Sequence, residues 1–199
     1  IILHGWTYSK NKYEAFNAVL RLKGLEPVIL KIPGLTEKID IEKIWTLDDY
    51  IEWLKRIINN EKDRVILIGH SNGGRIALNF AIKYSQKVSN LILINSAGIY
   101  HNELYIQMNR LFFATLAKIG KRITKSQMLK KLLYKLTRES DYKNASPHMG
   151  KTMINFIKSD ISLNLNKISV PTLIIWGEND RILPLKDGEK MHELIKNST

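Results

Sequence analysis

The chain holds 199 residues, 44% hydrophobic and 25% charged, enough apolar content for one packed domain and too much for a disordered segment. It has no cysteine, which excludes disulfide scaffolds, cysteine-based zinc sites and cysteine nucleophiles. Lys and Arg number 31 against 19 Asp and Glu, but Ile, Lys and Asn together make up 67 residues, a bias that an A/T-rich coding sequence produces without any anionic ligand.

The first 99 residues alternate strands with helices. Ile1-Ile2-Leu3 reads as the middle or end of a strand that stops at His4-Gly5. There is no initiator Met and no signal peptide, and the last residues, 191–199, break off just after a helical pattern, so both ends read as cut from a longer protein. Residues 13–22 have helical spacing, with Ala15, Phe16, Val19 and Leu20 on one face and Gly24 as a stop. Residues 27–32 form a short apolar strand ending in Pro33-Gly34. Thr46 caps a helix over 47–58, with Asp48 and Asp49 in the first turn, where the helix dipole favours anions. Residues 65–68 and 91–94 are strands apolar on both faces, as central parallel strands are, and 73–84 between them is helical.

Residues 100–165 interrupt this alternation and read as helices only, over 103–120, 126–137 and 147–158. The segment carries 12 Lys and Arg against 4 Asp and Glu, and its apolar stripe of Leu104, Met108, Leu111, Phe112 and Ile119 is core packing. We expect a helical cap inserted between a core of residues 1–99 and one of 166–199. The strand at 172–176 and the helix at 185–195 resume the pattern. Strands alternating with helices predict an α/β fold, a doubly wound, mostly parallel sheet whose ligands bind beyond the carboxyl ends of its strands. His4-Gly5, Gly69-His70-Ser71 and Gly177 to Asp180 all fall at such ends. No apolar run approaches the ~18 residues of a membrane span.

Gly69-His70-Ser71-Asn72-Gly73 follows a strand and opens a helix. G-x-S-x-G in that setting is a nucleophile elbow, in which a sharp turn presents the serine hydroxyl at a helix N-terminus. The alternative is a strand-to-helix turn that merely needs glycines. There is no Walker pattern, no G-x-G-x-x-G and no cluster of three metal ligands around His4 and Asp180, so neither a phosphate loop nor a metal is expected.

With this elbow, the chain resembles the cap-bearing serine hydrolases of the α/β-hydrolase superfamily. His4-Gly5-Trp6 is similar to that family's oxyanion segment, and 171–180, with Pro184 after it, to its acid-bearing strand and turn. The resemblance implies Ser71 as nucleophile, Asp180 as the acid that orients the base, and the N–H groups of Trp6 and Asn72 as the oxyanion hole. It implies a substrate site at His4, Gly5 and His70, and a carboxylic ester or related acyl or carbon–carbon bond as substrate. Serine at 71, rather than Asp, speaks against dehalogenase or epoxide hydrolase chemistry. No cofactor, nucleic acid or membrane insertion is implied. A cytoplasmic location is expected, the lack of cysteine fitting a reducing compartment.

The general base is the departure. Of His4, His70, His101, His148 and His192, two occupy motif positions with other roles and two lie in the expected cap. His192 follows Asp180 by only 12 residues inside a helical pattern. The resemblance places the last strand and the catalytic histidine past Thr199, leaving two triad members in this chain. The alternative function is a non-catalytic binding module on the same fold.

Overall fold

A computed structural model describes residues 1–5, 10–36, 41–101, 147–160 and 163–199. The chain divides into two compact units, residues 1–99 with 146–199, and residues 100–145. The helices expected over 103–120 and 126–137, and Trp6, lie outside the described residues.

The first unit is a five-stranded sheet. Its strands are β1 (Ile2–Leu3), β2 (Ile29–Leu30), β3 (Val65–Ser71), β4 (Val88–Ser96) and β5 (Thr172–Ile175). Every pairing is parallel, in the order β2-β1-β3-β4-β5. The helices are α1 (Lys10–Leu22), α2 (Leu47–Ile58), α3 (Asn72–Lys83), α4 (Pro147–Ser159) and α5 (Leu185–Leu194). The α/β architecture expected from the alternating pattern is therefore the one found.

Local chemistry sets several boundaries. Thr46 and Asp49 close a capping box at the start of α2, each bonding the other's backbone N–H. Leu47, Tyr50, Ile51, Leu54 and Ile58 recur at helical spacing and are all buried. Burial of such side chains stabilises by about 2 kcal/mol each. Tyr50 packs its ring on Phe156 of α4, with centroids 4.9 Å apart, and its hydroxyl donates to the Pro33 carbonyl at 2.9 Å. Trp45 gives its backbone N–H to Thr152 Oγ1 at 2.9 Å, and its carbonyl accepts from Asn155 Nδ2 at 3.1 Å. These bonds explain a difference from the sequence reading. Helix α4, expected as the end of the inserted cap, belongs to the sheet unit.

The sheet's two faces are not equally covered. A Cβ on Gly69 would meet Gly74 and Ala77, so α3 lies on the face that carries Leu67, Leu91 and Leu93, all fully buried. The opposite face carries Ile66, Leu173 and Ile175, each about two-fifths exposed. Helix α1 departs further from expectation. Val19, placed on its buried face from spacing alone, is 56% exposed.

The sequence reading put the strand beyond β5 wholly past residue 199. Residues 197–199 already run beside β5. Thr172 N–H donates to the Asn197 carbonyl, Thr199 N–H to the Thr172 carbonyl and Ile174 N–H to the Thr199 carbonyl, at 2.8 to 3.0 Å. The bridge between Thr172 and Ser198 is parallel, like the rest of the sheet.

Candidate active site

Ser71 ends β3 and caps α3 with φ 53° and ψ −123°. A non-glycine residue at positive φ costs on the order of 1–3 kcal/mol and persists only where its surroundings fix it. Here Ala97 N–H donates to the Ser71 carbonyl at 3.0 Å, holding the turn to the end of β4. Behind the turn, α3 lies so close to β1 that a Cβ on Gly73 would stand 2.2 Å from the Leu3 carbonyl oxygen and 2.6 Å from that of His4. Both are backbone atoms and cannot swing away. Gly73→Ala is therefore expected to destabilise the fold by about 3 kcal/mol, read as a lower urea midpoint with an unchanged slope. A midpoint equal to wild type would mean that the helix is not seated this closely.

The end of β1 brings a second segment to the serine. A Cβ on Gly5 would be 2.8 Å from Ser71 Cβ and 3.1 Å from His70 Nδ1, so only glycine fits there. Asn72 begins α3, and its N–H is one of the helix's first-turn donors with no intrahelical acceptor. A donor of that kind beside a serine hydroxyl suits a developing oxyanion.

The structure separates the two histidines that the resemblance assigned to substrate binding. His4 is fully buried and turned into the protein. Its Nδ1 donates to the Gly5 carbonyl at 2.7 Å, which leaves Nε2 to accept from Ile32 N–H at 3.3 Å and to face Thr36 Oγ1 at 3.0 Å. Burial drives its pKa down to about 4, partly offset by the Gly5 carbonyl, so the ring is neutral at pH 7. His4 thus fixes the Gly5 loop and has no surface to offer a substrate. His70 is only half-buried, and its Nδ1 lies 3.0 Å from the Tyr13 hydroxyl, which also receives Gly5 N–H at 3.4 Å. Burial lowers the His70 pKa, and the charge of Asp180 opposes that shift.

Asp180 follows β5 and is held by a turn of its own making. Its Oδ1 accepts from Ile182 N–H at 2.7 Å and Leu183 N–H at 3.0 Å. Its Oδ2 accepts from the Asn95 side-chain amide, whose own Oδ1 accepts from Gly177 N–H at 3.1 Å. Burial alone would raise the Asp180 pKa, but the Leu183, Ile182 and Asn95 donors and the nearby His70 together hold it below the usual carboxylate value. The group is an anion at neutral pH.

Asn95 is a site residue that sequence reasoning missed. It sits in β4 at φ 40°, a conformation asparagine tolerates better than most residues. That preference is the one local signal, and it names no role. Tyr13 was missed as well, read only as the start of a helix.

Among the described residues, none of the five histidines is hydrogen-bonded to Ser71 Oγ or to the Asp180 carboxylate. His192 turns its Nδ1 to Ser198 Oγ at 2.9 Å, at the end of the chain. The described residues hold no group of three His, Asp or Glu that could bind a metal, and no helix long and apolar enough to cross a membrane.

The model of the family described as serine aminopeptidase, S33 matches residues 1–199. The 2-hydroxy-6-oxo-6-phenylhexa-2,4-dienoate hydrolase of Comamonas testosteroni is 30% identical over 146 residues, covering 65% of this chain and 51% of that protein. The chain thus spans about half the length of that relative. The pimeloyl-acyl-carrier-protein methyl ester esterase of Shewanella woodyi (strain ATCC 51908 / MS32) is 28% identical over 204 residues, covering 92% of this chain and 76% of that one. Among solved structures, an α/β hydrolase from a sediment metagenome of the Mar Chica lagoon, Morocco, superposes with a TM-score of 0.65 at 21% identity, covering 100% of this chain and 76% of that chain.

Proposed function

Because the chain belongs to the serine aminopeptidase S33 family of the α/β-hydrolase superfamily, we propose that it is the core of a serine hydrolase cleaving a carboxylic ester, with Ser71 as nucleophile. The observation that carries this reading is the strained Ser71 turn, abutted by Gly5 and followed at once by Asn72, whose N–H is a first-turn donor with no intrahelical acceptor. A module that only binds has no use for positive φ at a serine. The relatives include a methyl ester esterase and proline iminopeptidases, and the ester is the bond this proposal commits to.

In the proposed reaction Ser71 Oγ forms a bond to the ester carbonyl carbon while its proton passes to an imidazole base. The carbonyl electron pair becomes an oxyanion that takes the Asn72 N–H as a donor, worth about 3 kcal/mol in the transition state, and Trp6, the second donor the resemblance implies, lies outside the described residues. The carbon–oxygen bond to the alcohol then breaks, and the imidazolium protonates the alcohol as it leaves. Water adds to the acyl-serine by the same path in reverse and releases the acid. Asp180, ionised and fixed by three donors, orients the imidazole and stabilises its cationic form. The steps need no metal and no cofactor. Among the described residues no histidine is hydrogen-bonded to Ser71 Oγ or to the Asp180 carboxylate, and the base in this proposal is a histidine of the full-length protein other than these five.

The test is reaction with a fluorophosphonate, located by mass spectrometry. In the full-length gene product the adduct is expected on Ser71, with little or none in the 199-residue chain alone. An adduct on another serine, or none in the folded full-length protein, overturns the proposal.

A further inference from the structure

The helix that opens at Asn72 is tied down by a buried ion pair that no step of the proposed reaction uses. Arg75 and Asp160 are each 6% exposed. The guanidinium meets the carboxylate as a fork, Nε to Oδ1 at 2.7 Å and Nη2 to Oδ2 at 2.7 Å. Its third nitrogen, Nη1, donates to Asn72 Oδ1 at 2.5 Å. The guanidinium carbon lies over the ring of Phe156 in α4, 5.6 Å from its centroid. Asp160 directly follows α4, so the fork joins two segments 85 residues apart.

Such a pair is a poor source of stability. Taking both charges out of water offsets most of their attraction, and apolar residues of similar size would do as well. What the fork supplies is direction. Two parallel bonds fix the guanidinium plane, and the plane then aims Nη1 at one acceptor. That acceptor is the side chain of the residue after Ser71. Pinning Asn72 Oδ1 fixes its side-chain rotamer, and with it the backbone whose N–H faces the oxyanion.

We propose that Arg75 and Asp160 are positioning residues, which hold the Asn72 N–H in register with Ser71 from a support at the end of α4. This rests on the reading of Ser71 and Asn72 given above. Neither residue touches substrate. The arrangement makes the oxyanion donor depend on the seating of α4.

Removing one partner alone would bury an unpaired charge and unfold the chain, so the test removes both, as Arg75→Met with Asp160→Leu in the full-length protein. The double variant is expected to melt close to wild type. Its kcat on an ester should fall about tenfold to a hundredfold with KM unchanged, the usual result of a misplaced catalytic group. Amide hydrogen exchange should quicken at Asn72 and Gly73 and stay unchanged through β3 and β4. Asn72→Ala keeps the backbone N–H and should reproduce the loss in kcat, with the triple variant no worse than either. A folded double variant with wild-type kcat and wild-type exchange at Asn72 overturns the proposal, as does faster exchange spread evenly over the sheet. If wild type shows no Ser71-dependent turnover, the ester reading fails, and exchange alone decides. Local acceleration then supports the positioning of the turn, and unchanged exchange sinks it.

Discussion

Ser71→Ala in the full-length protein is expected to lower kcat for a carboxylic ester by about 10^6-fold, the scale on which a triad loses its nucleophile. It should do so without a change in thermal midpoint. The Ser71 side chain caps nothing, since its hydroxyl makes no hydrogen bond to the first turn of α3. Its Cβ, which abuts Gly5, is kept in alanine. The backbone at φ 53° is equally strained for both residues. The substitution therefore separates chemistry from fold more cleanly than any other at the site. The Asn72 N–H and the substrate contacts survive it, so a residual rate about 10^3-fold above water should remain. A variant that keeps a tenth of wild-type activity would show that another group attacks the substrate.

The sequence disclosed what depends on neighbours in the chain. Strands β3 and β4 were readable because both carry apolar residues on both faces over a short run. Helix α2 was readable because Thr46 and Asp49 satisfy each other within four residues. The elbow was readable because its glycines, its serine and the helix behind it are contiguous. What stayed hidden depends on neighbours in space. Asn95 reaches Asp180 across 85 residues only because β4 and β5 are adjacent in the sheet. Arg75 shows no sign of its role in the sequence, since its partner, Asp160, lies 85 residues away in the segment read as the cap. His4 was placed correctly at the end of a strand, but which way its ring turns depends on Ile32 and Thr36. The face of α1 failed for a related reason. Spacing names the more apolar side of a helix and cannot say whether anything comes to cover it.

Asp180→Asn is the second large effect, a fall in kcat of about 10^4-fold. It should also cost stability, for a reason visible in the hydrogen bonds. Oδ1 of the new asparagine can still accept from Ile182 and Leu183. The amide in place of Oδ2 would face the amide of Asn95, donor against donor. Asn95 cannot flip to answer it, because its own Oδ1 receives Gly177 N–H. One broken bond of this kind costs about 1 kcal/mol. The pH dependence follows from the depressed pKa of Asp180. A carboxylate whose folded pKa lies below its unfolded value, about 3.9, adds stability in full above that value and loses it as pH falls through the folded pKa. Wild type should therefore lose an increment of stability below about pH 4 that Asp180→Asn never had, and their stability curves should converge on the acid side. The exchanged pair, Asn95→Asp with Asp180→Asn, restores an acceptor opposite each donor and should recover the melting temperature. It should not recover kcat, because the anion then sits on β4, away from the turn that Ile182 and Leu183 hold. Recovery of both would mean that the site needs a negative charge nearby and not a carboxylate at position 180.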